Sequence, residues 1–392
     1  MSEINHLMTT YAPLDVCFER GEGAYLFDGK GDKYLDALAG IAVCGLGHAH
    51  PAVTKAIQHQ AENLIHTSNL YCIKNQQKLA GQLCEVSGMS RVFFSNSGAE
   101  ANEAAIKMAR LYGNQQNIDN PSIIVTDGGF HGRTLATLSA TGNRKVHAGF
   151  EPLVSGFTRA PYNDIDTIKS IAQNSSNTVA ILVEPIQGEG GINLPDENYL
   201  TALRTICDEN NWLLMLDEIQ TGMGRTGQWF AFQHNHIIPD VMTLAKGLGN
   251  GVPIGACLAH GKAAELFQPG NHGSTFGGNP LTCAAASAVV ETITKDNLCQ
   301  RADELGKRML SGFEAQLKDH PGIKSMRGKG LMLGIELDRD CPELVKLALQ
   351  QNCLINVTAG SVVRLLPPLI LSDEQADTIV NLVSSLIKDF LN

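Results

Sequence analysis

The chain has 392 residues, more than one ordinary hydrophobic core supports, so two or three structural units are expected. Its 43% hydrophobic and 18% charged residues, together with 39 glycines, are typical of a globular α/β protein. The formal net charge is −10 and no Lys/Arg-rich block occurs, which argues against a surface that binds nucleic-acid phosphates.

Ten cysteines are scattered along the chain, with no C-x-x-C motif and no Cys/His spacing typical of zinc. We therefore expect reduced thiols and no metal site. The N-terminal residues MSEINHLMTTYAPLD lack the pattern of a signal peptide, and no apolar run approaches the roughly 20 residues of a membrane span. A cytoplasmic location is the expectation.

The first segment, residues 1–51, combines short apolar pieces with turn residues. The pairs Asp28-Gly29 and Lys30-Gly31 predict a small hairpin within it. Two stretches of helical periodicity follow, AVTKAIQHQAENL and KNQQKLAGQLCEVSG. They mark the start of a large domain over residues 52–280, and we expect the N-terminal segment to join a smaller C-terminal domain.

Short apolar runs predict the strands of the large domain: RVFF (91–94), SIIVT (122–126), VAILVE (179–184), WLLMLD (212–217), VMTLA (241–245) and IGACLA (254–259). Amphipathic helices such as AEANEAAIKMARLYG lie between several of them. Strands that are apolar throughout and alternate with helices indicate an α/β fold with a mostly parallel sheet covered on both faces. Ligands of such sheets bind at the carboxyl ends of the strands.

Residues 281–392 are predicted to form the smaller α+β domain. A linking helix in NPLTCAAASAVVETIT and a second long helix precede two strands, around LMLGIEL and VVRLLP, which alternate with two further helices. Ser372 and Gln375 have the spacing of a capping box at the start of the last helix.

Three features of the large domain carry chemistry. Ser97 and Glu100 fit a capping box at a helix N-terminus, which either binds a phosphate or is simply a well-capped helix. Asp217 ends an apolar strand, where it either meets a core arginine, ligates a metal or pairs with a protonated ring nitrogen. Lys246 follows another apolar strand, as a surface charge or as a desolvated nucleophile. A phosphate site, a carboxylate and a lysine at one sheet edge together specify pyridoxal phosphate better than any other cofactor.

The chain resembles the class III pyridoxal-phosphate aminotransferases of fold type I, most closely the acetylornithine aminotransferases. The resemblance covers essentially the whole length and rests on motifs in the family's order: AGIAVCGLGHAHP, FFSNSGAEANEAAIKMAR, GGFHGRTLATLSATG, VEPIQGEGG, LDEIQTGMGRTG, LAKGLGNGVPIGA, HGSTFGGNPL and VVRLLPPL. It implies a homodimer with shared active sites and a mostly parallel central sheet flanked by helices.

The resemblance also implies which residues contact the cofactor. Lys246 would bind pyridoxal phosphate covalently and move protons, while Asp217 would pair with the pyridine nitrogen. The other implied cofactor contacts are Ser97, Gly98 and Ala99 at the phosphate, Phe130 on the ring face, Glu218, Gln220 at the phenolic oxygen, and Thr275 at the phosphate of the neighbouring subunit's cofactor.

A further set of residues is implied to contact the substrates. Arg133 would bind one substrate carboxylate, and Ser274 would lie nearby. Arg364 would bind the carboxylate of glutamate or 2-oxoglutarate, because arginine pairs with carboxylates through two parallel hydrogen bonds. Glu184 would neutralise Arg364 when a substrate lacks that carboxylate.

The implied reaction transfers the amino group of N-acetylornithine to 2-oxoglutarate, giving N-acetylglutamate 5-semialdehyde and glutamate, as in arginine biosynthesis. Ile41 and Val43, where ornithine aminotransferases tend to carry an aromatic residue, leave room for an N-acyl group. Arg225 is interpreted as a brace of its loop rather than a site residue.

Several alternatives stay open. Succinylornithine, succinyl-diaminopimelate, ornithine or 4-aminobutyrate could be the donor, and the chain could be an aminomutase of the same fold or a non-catalytic pyridoxal-phosphate binder. A nucleotide-binding module is disfavoured because the chain lacks G-x-x-x-x-G-K-[ST] and lacks a G-x-G-x-x-G that opens a helix after the first strand.

Overall fold

The computed structural model describes residues 6–392, so the first five residues of the predicted N-terminal segment lie outside the described part. The segment contains β1 (Phe18–Glu22), β2 (Tyr25–Asp28), β3 (Lys33–Asp36) and a distorted turn, α1 (Ala39–Ala42). Strands β2 and β3 pair antiparallel, which confirms the hairpin. The Asp28 carboxylate holds its turn by accepting hydrogen bonds from the N–H groups of Lys30 and Asp32, both at 2.9 Å.

Helices and strands then alternate through the large domain. They are α2 (Pro51–Asn63), α3 (Lys74–Ser87), β4 (Arg91–Ser95), α4 (Gly98–Gln115), β5 (Ser122–Thr126), α5 (Leu135–Ala140), α6 (Arg144–His147), β6 (Phe157–Ala160), α7 (Ile165–Asn174), β7 (Thr178–Val183), α8 (Tyr199–Glu209), β8 (Leu213–Asp217), β9 (Val241–Leu244) and β10 (Gly255–Ala259).

The central sheet has seven strands in the order β4-β10-β9-β8-β7-β5-β6. All the predicted strands are present, and the sheet is mostly parallel as expected, because only β10 runs against its neighbours. The connection over residues 245–254 contains no helix long enough to carry the chain back for a parallel pairing, so β10 turns back along β9. Strand β6 was not predicted, because this short edge strand has few buried positions and shows no apolar run.

The C-terminal part begins with two long helices. Its elements are α9 (Pro280–Lys295), α10 (Leu298–Leu317), β11 (Ile323–Lys329), β12 (Met332–Leu337), α11 (Glu343–Gln350), β13 (Cys353–Leu354), β14 (Asn356–Thr358), β15 (Val362–Leu365) and α12 (Asp373–Leu391). An antiparallel sheet has the order β11-β12-β15-β14. The capping box is confirmed, since Ser372 Oγ accepts from the Gln375 N–H at 3.2 Å and Gln375 Oε1 accepts from the Ser372 N–H at 2.9 Å.

Strand β13 pairs in parallel with β3, so the N-terminal segment shares a sheet with a C-terminal strand. Helix α9 packs against α2 and α3 of the large domain. The exact domain boundaries, after residues 51 and 280, stay predictions. Among residues 6–392, no helix is both long enough and apolar enough to cross a membrane.

Every residue of β5, β7, β8, β9 and β10 is buried, so the sheet forms the centre of the core. Such strands supply rigid supports for residues placed just beyond their ends. Strands β8 and β9 are parallel neighbours, and Asp217 and Lys246 therefore emerge at the same edge of the sheet.

Candidate active site

Asp217 is the last residue of β8 and is almost completely buried. Its Oδ2 accepts a hydrogen bond from Asn102 Nδ2 at 2.7 Å and lies 2.8 Å from His131 Nδ1, while Oδ1 accepts from the Ile219 N–H at 3.1 Å. A carboxylate offers about four lone-pair positions, so one remains free beside the cavity that Asp217 lines. Its partners are therefore a histidine and an amide rather than the core arginine considered from the sequence.

Lys246 follows β9 and lines the same cavity as Asp217. Its burial in the cavity wall lowers the pKa of its amine, and the charge of Arg364 acts in the same direction, while Glu189 opposes them. The residue has a φ of 40°, a conformation that non-glycine residues adopt at a cost of roughly 1–3 kcal/mol. Lys246 is therefore a lysine held inside a site, and the interpretation as a surface charge is wrong.

Helix α4 presents its N-terminus to the same cavity, through Ser97, Gly98 and Ala99. Ser97 Oγ caps the helix by accepting from the Glu100 N–H at 3.2 Å, whereas the Glu100 carboxylate bonds the Asn96 N–H at 2.6 Å instead of completing a capping box. Within residues 6–392, the N–H groups of Gly98 and Ala99 have no hydrogen-bond partner. These free donors at the positive end of a helix suit a phosphate.

Gly98 permits this approach to the sheet edge. A Cβ at this position would lie 2.7 Å from the Ile219 side chain, so no larger residue fits without movement. The helix N-terminus can therefore pack directly against the turn that follows Asp217.

The cavity has a volume of about 400 Å³ and brings together most of the predicted site residues. Those that line it are Ser97, Gly98, Ala99, Phe130, Arg133, Glu184, Asp217, Gln220 and Lys246. The guanidinium of Arg133 lies 5.7 Å from the centre of the Phe130 ring. Within residues 6–392, no group of three or more His, Cys, Asp and Glu side chains is arranged to hold a metal ion.

Ser274 and Thr275 line an adjacent cavity of about 310 Å³ instead. Asn96 belongs to the walls of both cavities, and its Nδ2 donates to Ser274 Oγ at 3.2 Å. Within a single chain, Thr275 and Lys246 therefore line different cavities.

The structure does not place Glu218, an expected cofactor contact, in the wall of the cavity. Its carboxylate accepts hydrogen bonds from the N–H groups of Ala231 and Phe232, at 3.0 and 2.9 Å, and from the Thr221 hydroxyl. Burial raises the pKa of Glu218 to about 7, although these donors oppose the shift. Because successive residues of an extended segment point in opposite directions, Glu218 closes the following loop while Asp217 lines the cavity.

The expected pairing of Glu184 with Arg364 is also wrong. Glu184 Oε1 and Oε2 accept from the N–H groups of Phe130 and Gly188, at 2.8 and 3.0 Å. Burial, and then the nearby charge of Asp217, raise the pKa of Glu184 to about 7. Glu184 therefore stabilises the loop that carries Phe130.

Glu189 is the ionic partner of Arg364. Their closest atoms, Oε1 and NH1, lie 2.6 Å apart, and only 1% of the Arg364 side chain is exposed against 37% for Glu189. Arg364 also donates to Asn356 Oδ1 at 2.8 and 3.1 Å and to Gln220 Oε1 at 3.4 Å. Glu189 lines the cavity, whereas Arg364 is not part of its wall.

The sequence did not identify Asn102 and His131 as residues of the site. A signal for Asn102 was present, because it lies on the buried face of α4 at helical spacing from Ile106 and Ala109. A polar residue at such a position requires a buried partner. His131 is next to Phe130 in GFHGRT, and only the folded chain shows that it meets Asp217.

A left-handed turn brings the N-terminal segment to the cavity. Residues 39–42 all have positive φ values, between 50° and 65°, and the chain then places Val43 in the cavity wall. Asp36 holds the turn by accepting from the Leu38 and Ala39 N–H groups at 2.9 and 2.8 Å. Of the two aliphatic residues predicted to leave acyl space, Ile41 instead packs against an apolar cluster.

Arg225 lies outside the cavity wall and donates to the carbonyl groups of Leu331 and Pro367 at 3.0 and 2.5 Å. These bonds join the loop after β8 to the C-terminal part of the chain. The interpretation of Arg225 as a brace agrees with these contacts.

Comparison with known proteins identifies the family. The family described as aminotransferase class-III matches residues 8–387. An acetylornithine aminotransferase of Nitrosomonas europaea is 56% identical over 388 residues, which are 99% of each chain. The ornithine aminotransferase of Toxoplasma gondii, solved with pyridoxal phosphate at partial occupancy in its active site, has a TM-score of 0.94 at 34% identity and covers 98% of this chain and 92% of that one. An acetylornithine aminotransferase of Elizabethkingia anophelis has a TM-score of 0.88 at 34% identity, over 98% of this chain and 97% of that one. These matches confirm the resemblance and the fold that it implied, and the chain belongs to the class III aminotransferases.

Proposed function

We propose that this aminotransferase binds pyridoxal phosphate in the cavity at the ends of β8 and β9. The free N–H groups of Gly98 and Ala99 would hold the phosphate, and the remaining lone pair of Asp217 would accept the N–H of the pyridine ring. The observation that carries the proposal is the convergence of Lys246, Asp217 and the N-terminus of α4 on one cavity of about 400 Å³.

When bound, pyridoxal phosphate supplies an electron sink for the carbanion that a substrate forms as it loses its proton. Lys246 Nζ provides the amine, and its lowered pKa raises the neutral fraction that acts as nucleophile and base. The same nitrogen would take the proton from the substrate carbon and deliver it to the carbon on the other side of the reacting nitrogen, as a 1,3-proton shift requires. The Asp217 carboxylate would keep the ring nitrogen protonated.

The amino donor proposed is N-acetylornithine and the acceptor is 2-oxoglutarate, giving N-acetylglutamate 5-semialdehyde and glutamate. The 56% identity to the Nitrosomonas europaea enzyme over the full length supports this choice. Val43 adds to it, because a small aliphatic side chain in the cavity wall leaves space for an acyl group. Arg133 would bind the carboxylate at the far end of each substrate.

The pair formed by Glu189 and Arg364 suits two substrates of different charge. N-acetylornithine has no carboxylate at the carbon that bears the reacting amine, so the pair can stay closed while it reacts. Glutamate has a carboxylate at that carbon, and this group would replace Glu189 at Arg364. One cavity would therefore accept both donors.

A homodimer that shares its active sites is part of the proposal. Thr275 and Ser274 line the cavity beside the one that contains Lys246, and Phe276 next to them is 60% exposed. Leu70 and Tyr71 are also large, exposed apolar residues. A second copy that covers such residues would bring its Thr275 to the phosphate site of the first.

Mixing inactive variants tests the shared site. Lys246→Ala and Thr275→Ala dimers are each expected to be impaired, and subunit exchange between them should restore activity in one site of each mixed dimer. That site would combine Lys246 from one chain with Thr275 from the other. Absence of any recovery, with exchange verified by mass, would contradict a site built from two chains.

The cofactor and the donor are tested together on the purified protein. A visible absorption band should be present, should be lost in Lys246→Ala, and should decay on addition of the true donor. N-acetylornithine, succinylornithine, ornithine and 4-aminobutyrate are compared as donors, and the fastest decay is expected with N-acetylornithine. If no band forms when pyridoxal phosphate is added, the assignment of pyridoxal phosphate as the cofactor is refuted.

Ornithine is the second candidate donor, because the Toxoplasma gondii enzyme with that name has nearly the same fold. A faster reaction with ornithine than with N-acetylornithine would favour it. An aminomutase would instead turn over without 2-oxoglutarate, so dependence on the keto acid separates that alternative.

A further inference from the structure

A buried asparagine connects the parts of the proposed cofactor site. Asn102 on α4 has no exposed surface, and its Nδ2 donates to Asp217 Oδ2 at 2.7 Å and to the His131 carbonyl at 2.8 Å. Its Oδ1 accepts from Thr243 Oγ1 at 2.7 Å. The two acceptors beside Nδ2 and the hydroxyl beside Oδ1 fix the orientation of the amide, since the reverse orientation would place oxygen against oxygen.

Asn102 and two of its partners, Asp217 and Thr243, lie on three different elements. Asn102 is one helical turn after Gly98, whose N–H group is free at the start of α4. Asp217 ends β8, and Thr243 lies on β9, three residues before Lys246. The amide therefore ties the helix that would hold the phosphate to the two strand ends that carry the carboxylate and the lysine.

Asn102 also determines which oxygen of Asp217 is occupied. Oδ2 receives both the Asn102 amide and the His131 ring, while Oδ1 receives only the Ile219 N–H. Without the amide, Oδ2 would lose a buried donor and the carboxylate could rotate. A residue that served packing alone would be apolar here, because burying an amide between a helix and a sheet is unfavourable unless its hydrogen bonds are needed.

We propose that Asn102 is a positioning residue for the aminotransferase reaction. It holds the Asp217 carboxylate so that Oδ1 is presented to the ring nitrogen of the cofactor, and Thr243 holds the Asn102 amide in the required orientation. The inference rests on the proposed function, because it requires pyridoxal phosphate in this cavity.

The test compares two ligands that differ only at the ring nitrogen. Pyridoxal phosphate and its 1-deaza analogue, which has a C–H in place of that nitrogen, are titrated into the cofactor-free full chain, and each dissociation constant is measured. For Asn102→Ala, the affinity for pyridoxal phosphate should fall about tenfold to a hundredfold, the size expected for a lost hydrogen bond to a buried charge. The affinity for the analogue should change less than about threefold, since it makes no bond to Asp217 through the ring nitrogen.

Thr243→Val is the milder variant, because it removes only the bond that orients the amide. It should reduce the preference for pyridoxal phosphate over the analogue by about threefold to tenfold. Thr292→Val is the matched control: Thr292 is a buried threonine on α9 whose hydroxyl donates to the Ala288 carbonyl at 2.7 Å. This control should leave the preference unchanged.

Equal losses of affinity for both ligands in Asn102→Ala would show a general structural defect and overturn the inference, as would an unchanged preference. If Asn102→Ala does not fold, Thr243→Val compared with Thr292→Val decides in the same way. A wild-type chain that binds neither ligand would refute the proposed function itself. If the wild-type chain prefers pyridoxal phosphate and both Asn102→Ala and Thr243→Val keep that preference, only the role of Asn102 is refuted.

Discussion

Glu189 offers the sharpest test of how the site accepts two kinds of substrate. We expect Glu189→Gln to change the preference between donors rather than to abolish activity. The substitution removes the charge that lies 2.6 Å from Arg364 and leaves that buried arginine with the neutral oxygens of Asn356 and Gln220. A hydrogen bond between charged groups contributes about 1.5–3 kcal/mol, and the 37% exposure of Glu189 favours the lower end.

A loss of about 1.5 kcal/mol corresponds to roughly a tenfold change in rate or affinity. The value of kcat/KM for N-acetylornithine should therefore fall about tenfold in Glu189→Gln, because this donor brings no carboxylate to Arg364. The value for glutamate should stay within about threefold of wild type or rise, since its carboxylate no longer has to displace Glu189. The assay is the decay of the visible band, followed separately with each donor.

Glu184→Gln is the control that separates the two glutamates. Glu184 supports the loop of Phe130 and does not contact Arg364, so its substitution should affect both donors by similar factors. If Glu184→Gln altered the preference between donors while Glu189→Gln did not, the assignment of Glu189 as the partner of Arg364 during catalysis would be refuted.

Three further predictions concern the cavity wall and the supporting elements. Val43→Phe should lower the preference for N-acetylornithine over ornithine by about tenfold, because the ring fills the acyl space. Competition between the two donors measures this preference. An unchanged ratio of the two rates would contradict a role for Val43. Ser97→Ala should lower the free energy of unfolding by about 1 kcal/mol in denaturant titrations, as should Ser372→Ala at the cap of α12, but only the first should weaken binding of pyridoxal phosphate. Glu218→Gln tests a pKa of about 7: because the folded-state pKa is raised, the stability from proton uptake is present at low pH and is lost as the pH rises from about 4.5 to 7. The variant should therefore lose less stability between pH 5 and 7.5 than wild type, and identical losses would contradict the raised pKa of Glu218.

Local chemistry made much of the fold predictable from the sequence. The central strands are mostly apolar, and a run such as SIIVT indicates burial on both faces. The hairpin after β2 follows from the turn residues around Asp28, and the start of α12 from Ser372 and Gln375, since each depends on partners at most four residues away. Strands β6 and β11 and the short strands β13 and β14 were not predicted, because edge pairing and partial burial leave no apolar run.

The chemical components of the site were likewise visible in the sequence, in Lys246, Asp217 and the helix cap at Ser97. Each lies beside an element whose type and direction the local pattern determines, so their meeting at one sheet edge follows from the α/β alternation. The tertiary structure alone decided which groups face one another across long separations. Arg364 pairs with Glu189 rather than Glu184, and Asp217 meets Asn102 and His131. Such pairings depend on the packing of distant segments to within a few ångströms, and the local sequence around each residue does not specify that packing.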